Sequence, residues 1–260
     1  MTDKSGILKW EERGRIGILR ISSGKKGNAI PRPDFADPEI VKRWINRENI
    51  EGILVTGEAR HFSSGADLSY FTGCEFTTEE IGKLFEAGRE IINGLENIEK
   101  PVIAAIDGAC LGAGLEIALA CQLRYCSQKA IFGFPEVSHE IIPGYGGLQR
   151  LLAIAGKSRT LEIALTGEVF GAEYARQFGI VNAITEDKTA FDHALEVLGR
   201  IVEMGRKPVQ YTIRAVNNAL RKDFESAMKE ECHMFAELVI EQYVNGGGDI
   251  GGQEKNKAAG

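Results

Sequence analysis

The chain has 260 residues, 43% hydrophobic and 26% charged, with 37 acidic against 31 basic side chains and a formal net charge of −6. This is the balance of a soluble globular protein, and at roughly 150 residues per domain it allows one large domain or two small ones. No apolar run reaches the ~18 residues needed to span a bilayer, and an acidic chain lacks the clustered Lys and Arg that bind phosphate backbones, so neither a membrane nor a nucleic acid is expected as partner.

The opening MTDKSG has neither the apolar stretch of a signal peptide nor the Arg-rich character of a transit peptide, so a cytoplasmic location is expected. Residues 14–22 alternate around Ile16, Ile18 and Ile21 and read as a strand. Residues 23–36, with Gly, Lys25, Lys26, Asn28 and two prolines, read as a loop. Asp37-Pro38 opens a short helix over 38–47. Residues 52–56 form a second apolar strand, and HFSSGADLSYF follows as a loop. From Thr78 to Ile98 apolar residues recur at helical spacing behind a Thr77-Thr78-Glu79-Glu80 start. The most apolar stretch comes next: strand 102–107, Gly-rich turn 108–112, helix 113–121, strand 123–126, and a short strand near 130–132. Beyond Gly146 the pattern is helical apart from a brief strand at 181–184. Alternating strands and helices make the class α/β. The later helices carry apolar positions that need a neighbour, and the tail from Asn245 is Gly-rich and polar, an expected mobile end.

Five cysteines occur with no CxxC pair, and three stand in apolar contexts as small buried hydrophobes. A disulfide framework is not expected, and neither is a metal site, because no HExxH or other ligand spacing is present. His61 beside Ser63 and Ser64 lacks the GxSxG elbow of a hydrolase. GACLGAG fits neither GxGxxG nor a P-loop. Two Gly-rich turns remain: Ser64-Gly65-Ala66-Asp67 and Gly112-Ala113-Gly114-Leu115-Glu116. The second leads into a helix, where free N–H groups and the dipole favour negative charge. Brought together, the two turns offer two N–H donors to one oxyanion; tight packing is the plainer explanation of the same residues. Glu116 and Glu136 both sit in apolar surroundings. Burial raises a carboxyl pKa toward neutrality and suits proton transfer, although a helix-start carboxylate or an ion pair explains each one separately.

Together, FSSGADL (62–68), KPVIAAIDGACLGAGLEIALAC (100–121), FGFPEVSHEIIPGYGGLQRL (132–151) and LTGEVFGAEYARQFGIVNAI (165–184) resemble the enoyl-CoA hydratase, or crotonase, family. The resemblance implies a spiral of ββα units over residues 1–195 and a helical trimerisation segment over 196–260, giving a homotrimer or dimer of trimers. It implies an acyl-CoA thioester substrate whose carbonyl is polarised by the N–H groups of Ala66 and Ala113. Glu116 and Glu136 match the glutamate pair of hydratases, which orients a water: Glu116 takes its proton, and Glu136 supplies the proton that reaches C2. No cofactor beyond the substrate's own coenzyme A is called for. Substrate contacts are expected from Lys25, Lys26, Asn28, Ala29, Ser64, Gly65, Asp67, Leu68, Gly112, Gly114, Pro135 and Gly144.

The chain departs from the family pattern in a short 28–55 region containing Pro31 and Pro33, in Gln122, in Ser138-His139-Glu140, in Leu148, and in a tail without an aromatic residue. These leave acyl specificity open, and with it a carrier-protein thioester as substrate. Isomerases of the same fold are the nearest alternative. A dienoyl-CoA isomerase is expected to place an Asp where this chain has Gly144, and a one-base isomerase to lack the equivalent of Glu116. A dienoyl-CoA hydratase stays open. The alternative of a different class is a non-catalytic acyl-CoA- or RNA-binding relative.

Overall fold

A computed structural model describes residues 6–245, so the Gly-rich tail from 246 onward lies outside the described residues. The chain divides between Glu203 and Met204.

The first unit holds β1 (Leu8–Arg13), β2 (Ile16–Ile21), α1 (Pro38–Ile45), β3 (Gly52–Gly57), α2 (Thr78–Asn97), β4 (Val102–Ile106), β5 (Ala109–Leu111) and α3 (Ala113–Ala120). It continues through β6 (Leu123–Ser127), β7 (Ile131–Gly133), α4 (Gly147–Thr166), β8 (Phe170–Gly171), α5 (Ala172–Gln177), β9 (Ala183–Thr185) and α6 (Ala190–Glu203). One sheet has the order β1-β2-β3-β4-β6-β9 and a second has β5-β7-β8. In the first, β1 pairs antiparallel with β2, and every later pairing is parallel.

Each of β3, β4 and β6 leaves the first sheet and runs directly into the second layer. After β4 comes β5 and after β6 comes β7, which pair in parallel. After β3 the chain makes parallel bridges from Ser63 to Cys110 and from Ala66 to Ile30. A helix then returns the chain: α2, α3 and α4 in turn. This strand–short strand–helix repeat is the expected ββα spiral.

The first sheet is covered on both faces, so its strands read as continuous apolar runs. Ile16, Ile18, Leu54, Ile103 and Ala105 pack on Ala190, Ala194, Leu198 and Val202 of α6. The alternate residues, among them Leu19, Ile21, Val55 and Ala104, face the larger core with α1, α2 and α3. Helix starts follow local chemistry. Asp37 accepts a hydrogen bond from the Glu39 N–H at 3.0 Å, with Pro38 in the first turn. Thr77 and Glu80 form a reciprocal capping box at the start of α2. All eight residues of α3 are buried.

Three elements differ from the pattern reading; one is β8, a two-residue strand paired antiparallel with β7 inside a stretch read as helical. β1 is a strand in a polar segment, LKWEER, in which only Leu8 is buried; its register with β2 makes it one, not its own hydrophobicity. β5 lies inside the segment read as a Gly-rich turn. Gly108 and Gly112 adopt φ +56° and +50° and bracket a three-residue strand.

The second unit contains α7 (Arg206–Ala219) and α8 (Phe224–Val239), which ends in a π-helical turn, Ile240–Asn245. Asp223 caps α8 through the Ser226 N–H at 3.0 Å. Lys222 and the Asn218 amide both reach Glu230, at 2.5 and 2.6 Å. Val216, Leu220, Phe224 and Phe235 are exposed. Among the described residues no helix is long and apolar enough to cross a membrane. Cys110, Cys121 and Cys126 are buried, as their apolar contexts imply.

Candidate active site

The two Gly-rich turns meet because the second layer zips them together. Ser63 N–H donates to Ala109 O at 2.8 Å, and Leu111 N–H donates to Ser63 O at 3.0 Å. Gly65, at φ +92°, is the point of closest approach: a Cβ on it would lie 2.8 Å from Leu111 O and 3.5 Å from Ala113 N. Only glycine meets both conditions. Ala113 is the first residue of α3, so its N–H belongs to the orphan donors of a helix start. Among the described residues no backbone carbonyl accepts from the N–H of Ala66 or Ala113. Both residues line one cavity of about 890 Å³, so two free donors face the same space.

Glu116, one turn into α3, projects into this cavity from a buried position, 1% exposed. Its Oε1 accepts from the N–H groups of Tyr145 and Gly147, both at 2.8 Å. Gly147 is where the chain must pass: a Cβ there would meet Glu116 Cγ at 2.7 Å. Burial pushes the Glu116 carboxyl above the ordinary carboxylate range, against the pull of those N–H groups and the Arg150 charge. Arg150 is itself held by Tyr145 O, Asn93 and Glu96.

Glu136 sits in a short 3₁₀ turn, Pro135–His139, behind β7. It is half-buried, and its Oε1 lies where a Cβ on Gly112 would approach to 2.8 Å. Burial, with the Glu116 charge adding to it, pushes this carboxyl up to about 7. Its Oε2 is buried and has no hydrogen-bond partner among the described residues. A buried acceptor without a partner is costly. Here it faces a cavity in which a ligand can satisfy it.

Most of the expected contact residues come together. Ser64, Gly65, Leu68, Gly112, Pro135 and Gly144 line the large cavity with Glu116 and Glu136. Lys25, Lys26, Ala29 and Asp67 line an adjoining recess of about 430 Å³, which shares Ala66, Leu68 and His139 with the first. Asp67 also caps the 3₁₀ turn Leu68–Phe71 through the Ser69 N–H at 3.1 Å.

Asn28 and Gly114 line neither space. Asn28 is a buried pin: its amide donates to Ile21 O and Phe62 O at 2.8 Å each, and its Oδ1 accepts from the Ser23 N–H at 3.0 Å. Gly114 is a spacer, since a Cβ there would lie 2.5 Å from Ser63 O. His61 and Ser63 form no nucleophile pair. His61 Nδ1 accepts from the Ala109 N–H at 3.1 Å, and the Ser63 hydroxyl donates to Asn28 O at 3.0 Å.

The departures sort in the same way. The Gln122 side chain accepts from the Val102 N–H at 2.7 Å and supports the sheet. Leu148 packs on the core. His139 stands at the junction of the two spaces. The backbone donors of Tyr145 and Gly147 escaped the sequence reading. A tyrosine between glycines ahead of a helix, YGG, was the one available signal.

A family model for enoyl-CoA hydratase/isomerase matches residues 15–258. A short-chain-enoyl-CoA hydratase of Clostridium acetobutylicum is 32% identical over 87% of this chain and 87% of its own length. A crotonyl-CoA hydratase of Syntrophomonas wolfei is 31% identical over 88% and 87% respectively. The crystal structure of an enoyl-CoA hydratase subunit I from Geobacillus kaustophilus superposes with a TM-score of 0.82 at 29% identity, covering 94% of each chain.

Proposed function

Because the chain belongs to the enoyl-CoA hydratase/isomerase family, we propose that it is an enoyl-CoA hydratase, adding water across the C2–C3 double bond of a 2-enoyl-CoA. The observation that carries this reading is the pair of carboxyls with raised pKa, Glu116 and Glu136, on one cavity beside two unpaired backbone donors.

The thioester oxygen accepts from the N–H groups of Ala66 and Ala113. These donors strengthen as the oxygen gains enolate charge, so they lower the barrier and do more than bind substrate. The double bond is thereby polarised and C3 becomes electrophilic. Ionised Glu116 takes a proton from water as the water oxygen bonds to C3. Protonated Glu136 gives its proton to C2 as the enolate collapses. Glu116 ends protonated and Glu136 ionised, and one proton exchange between them resets the pair. The division of roles follows the environments: Glu116 is held by two N–H donors that favour its anion, whereas Glu136 Oε2 has none. This chemistry uses water and two carboxyls and requires no metal or redox cofactor.

Lys25 and Lys26 supply cations to the adjoining recess, where the substrate's phosphates are placed. The exposed apolar residues of α7 and α8 support self-association into a homotrimer or a dimer of trimers. The exposed free thiols of Cys74 and Cys232 accord with a reducing, cytoplasmic setting.

The test is loss of conjugated-thioester absorbance with 2-enoyl-CoA substrates, with mass spectrometry for uptake of one water. Hydration that collapses in both Glu116→Gln and Glu136→Gln is the expected result. A moved double bond at unchanged mass would make the protein an isomerase, and no reaction with any thioester would make it a binding protein.

A further inference from the structure

The large cavity contains one permanently cationic side chain among its lining residues, and the proposed hydration gives it no task. Helix α2 presents Thr78, Ile81, Gly82, Phe85 and Arg89 to the cavity. These positions fall on one stripe at helical spacing and span about 16 Å of the axis at 1.5 Å per residue. Phe71, Phe76, Ile141 and Ile142 line the same cavity. Arg89 therefore stands on a helix stripe whose neighbouring cavity residues, Ile81 and Phe85, are apolar.

Its surroundings leave it available. Among the described residues no carboxylate lies within ion-pair distance of its guanidinium. The hydrogen bond recorded for it is a long one, to Gly82 O at 3.4 Å. The Asp34 carboxylate accepts two hydrogen bonds from Arg32, at 2.8 and 2.9 Å. Arg89 and Tyr145 line the same cavity, and the Tyr145 N–H holds Glu116. Arg89 itself is solvent-exposed, so it stands at the cavity's open edge.

We infer that Arg89 selects substrates whose acyl chain carries a terminal carboxylate: the 2-enoyl thioesters of dicarboxylic acids. An Arg guanidinium binds a carboxylate through two parallel N–H···O bonds. A few precisely placed polar groups in a mostly apolar pocket fix both the orientation and the identity of a ligand. The inference rests on the hydratase reading for its chemistry but not for its binding.

The test compares CoA thioesters of equal length ending in methyl or in carboxylate, with one to three methylenes beyond C3, on wild type, Arg89→Leu and Arg89→Lys. The wild type is expected to favour one carboxylate-ended member by 10-fold or more in kcat/KM. Arg89→Leu should lose about 10–100-fold on that member, mainly in KM, and less than about 3-fold on its methyl-ended match. Arg89→Lys should recover part of the loss. The saturated thioesters, pentanoyl-CoA and 4-carboxybutanoyl-CoA, report binding without turnover by calorimetry. Methyl-ended substrates hydrated as well as their carboxylate-ended matches, or equal losses on both in Arg89→Leu, would overturn the role of Arg89 and leave the hydratase standing. Carboxylate-selective binding that vanishes in Arg89→Leu, with no hydration of any thioester, would overturn the hydratase and leave Arg89 standing.

Discussion

In the proposed mechanism two glutamates in one cavity take different roles because of a few neighbouring atoms. Glu136 has a pKa raised to about 7 by burial and the Glu116 charge, so its protonated form is populated below neutrality. As the acid of hydration it must hold that proton, and kcat/KM should fall as pH rises through about 7. Glu116 must be ionised to act as base, so activity should also fall on the acid side, at a pH above that of an ordinary carboxylate. In Glu136→Gln the alkaline limb should disappear and kcat should drop about 10²-fold or more. A pH–rate profile of both variants checks this.

The same shift has a consequence for stability. A carboxyl whose folded pKa is raised binds its proton more tightly in the native state. Its contribution is therefore most favourable below pH 4.5 and is lost as pH rises toward about 7. Glu136→Gln should accordingly raise Tm at pH 8, by the equivalent of about 1–3 kcal/mol, and leave it nearly unchanged at pH 4.5. Thermal melts at the two pH values read this directly. An equal change at both would show that the carboxyl is not held protonated. Lys25 and Lys26 act at longer range. Replacing both with Ala should raise KM for CoA thioesters about 5–10-fold, flatten the salt dependence, and leave kcat in place.

At the scale of elements, the oxyanion site depends on a turn and a helix start holding a close approach. Gly65→Ala combines an unfavourable φ of +92° with a Cβ 2.8 Å from a backbone oxygen that has little room to move. It should cost about 1–3 kcal/mol of stability. It should also lower kcat more than 10-fold by parting Ala66 from Ala113, since 1 Å of misplacement is expensive for catalysis. A denaturant melt and a steady-state assay separate the two effects. Gly112→Ala should behave similarly but through Glu136, whose Oε1 lies 2.8 Å from the new methyl.

Across the whole molecule, both faces of the six-stranded sheet are occupied, and α6 covers one of them with Ala190, Ala194, Leu198 and Val202. Leu198→Ala should destabilise by about 2–5 kcal/mol without altering the pH profile, because the site lies on elements of the other core. The second unit has exposed apolar side chains. Phe224 and Phe235 are 76% and 69% exposed. Replacing both with Glu should shift the sedimentation coefficient to a smaller species if α8 supports an oligomer.

Much of this protein is written in local pattern. The strands over Ile16–Ile21, Gly52–Gly57 and Val102–Ile106 are buried almost throughout and therefore mostly apolar. The helix starts at Asp37 and Thr77 are marked by their own capping atoms. Glu116 and Glu136 stand out because a carboxyl in an apolar run has few structural uses. Long-range pairing decided the rest. β1 has no apolar signal of its own and exists because β2 offers it an edge. β5 is three residues long and is defined by its partner β7. Asn28 and Gly114 belong to motifs expected to surround a ligand, yet packing turns them into a pin and a spacer. Arg89 is one more charged residue on an amphipathic helix until tertiary packing puts its stripe against a cavity. Sequence determines which residues are buried and where helices begin, because those energies are local and periodic. Which donor faces which carboxyl depends on close approaches between segments tens of residues apart, and only the packed fold sets those.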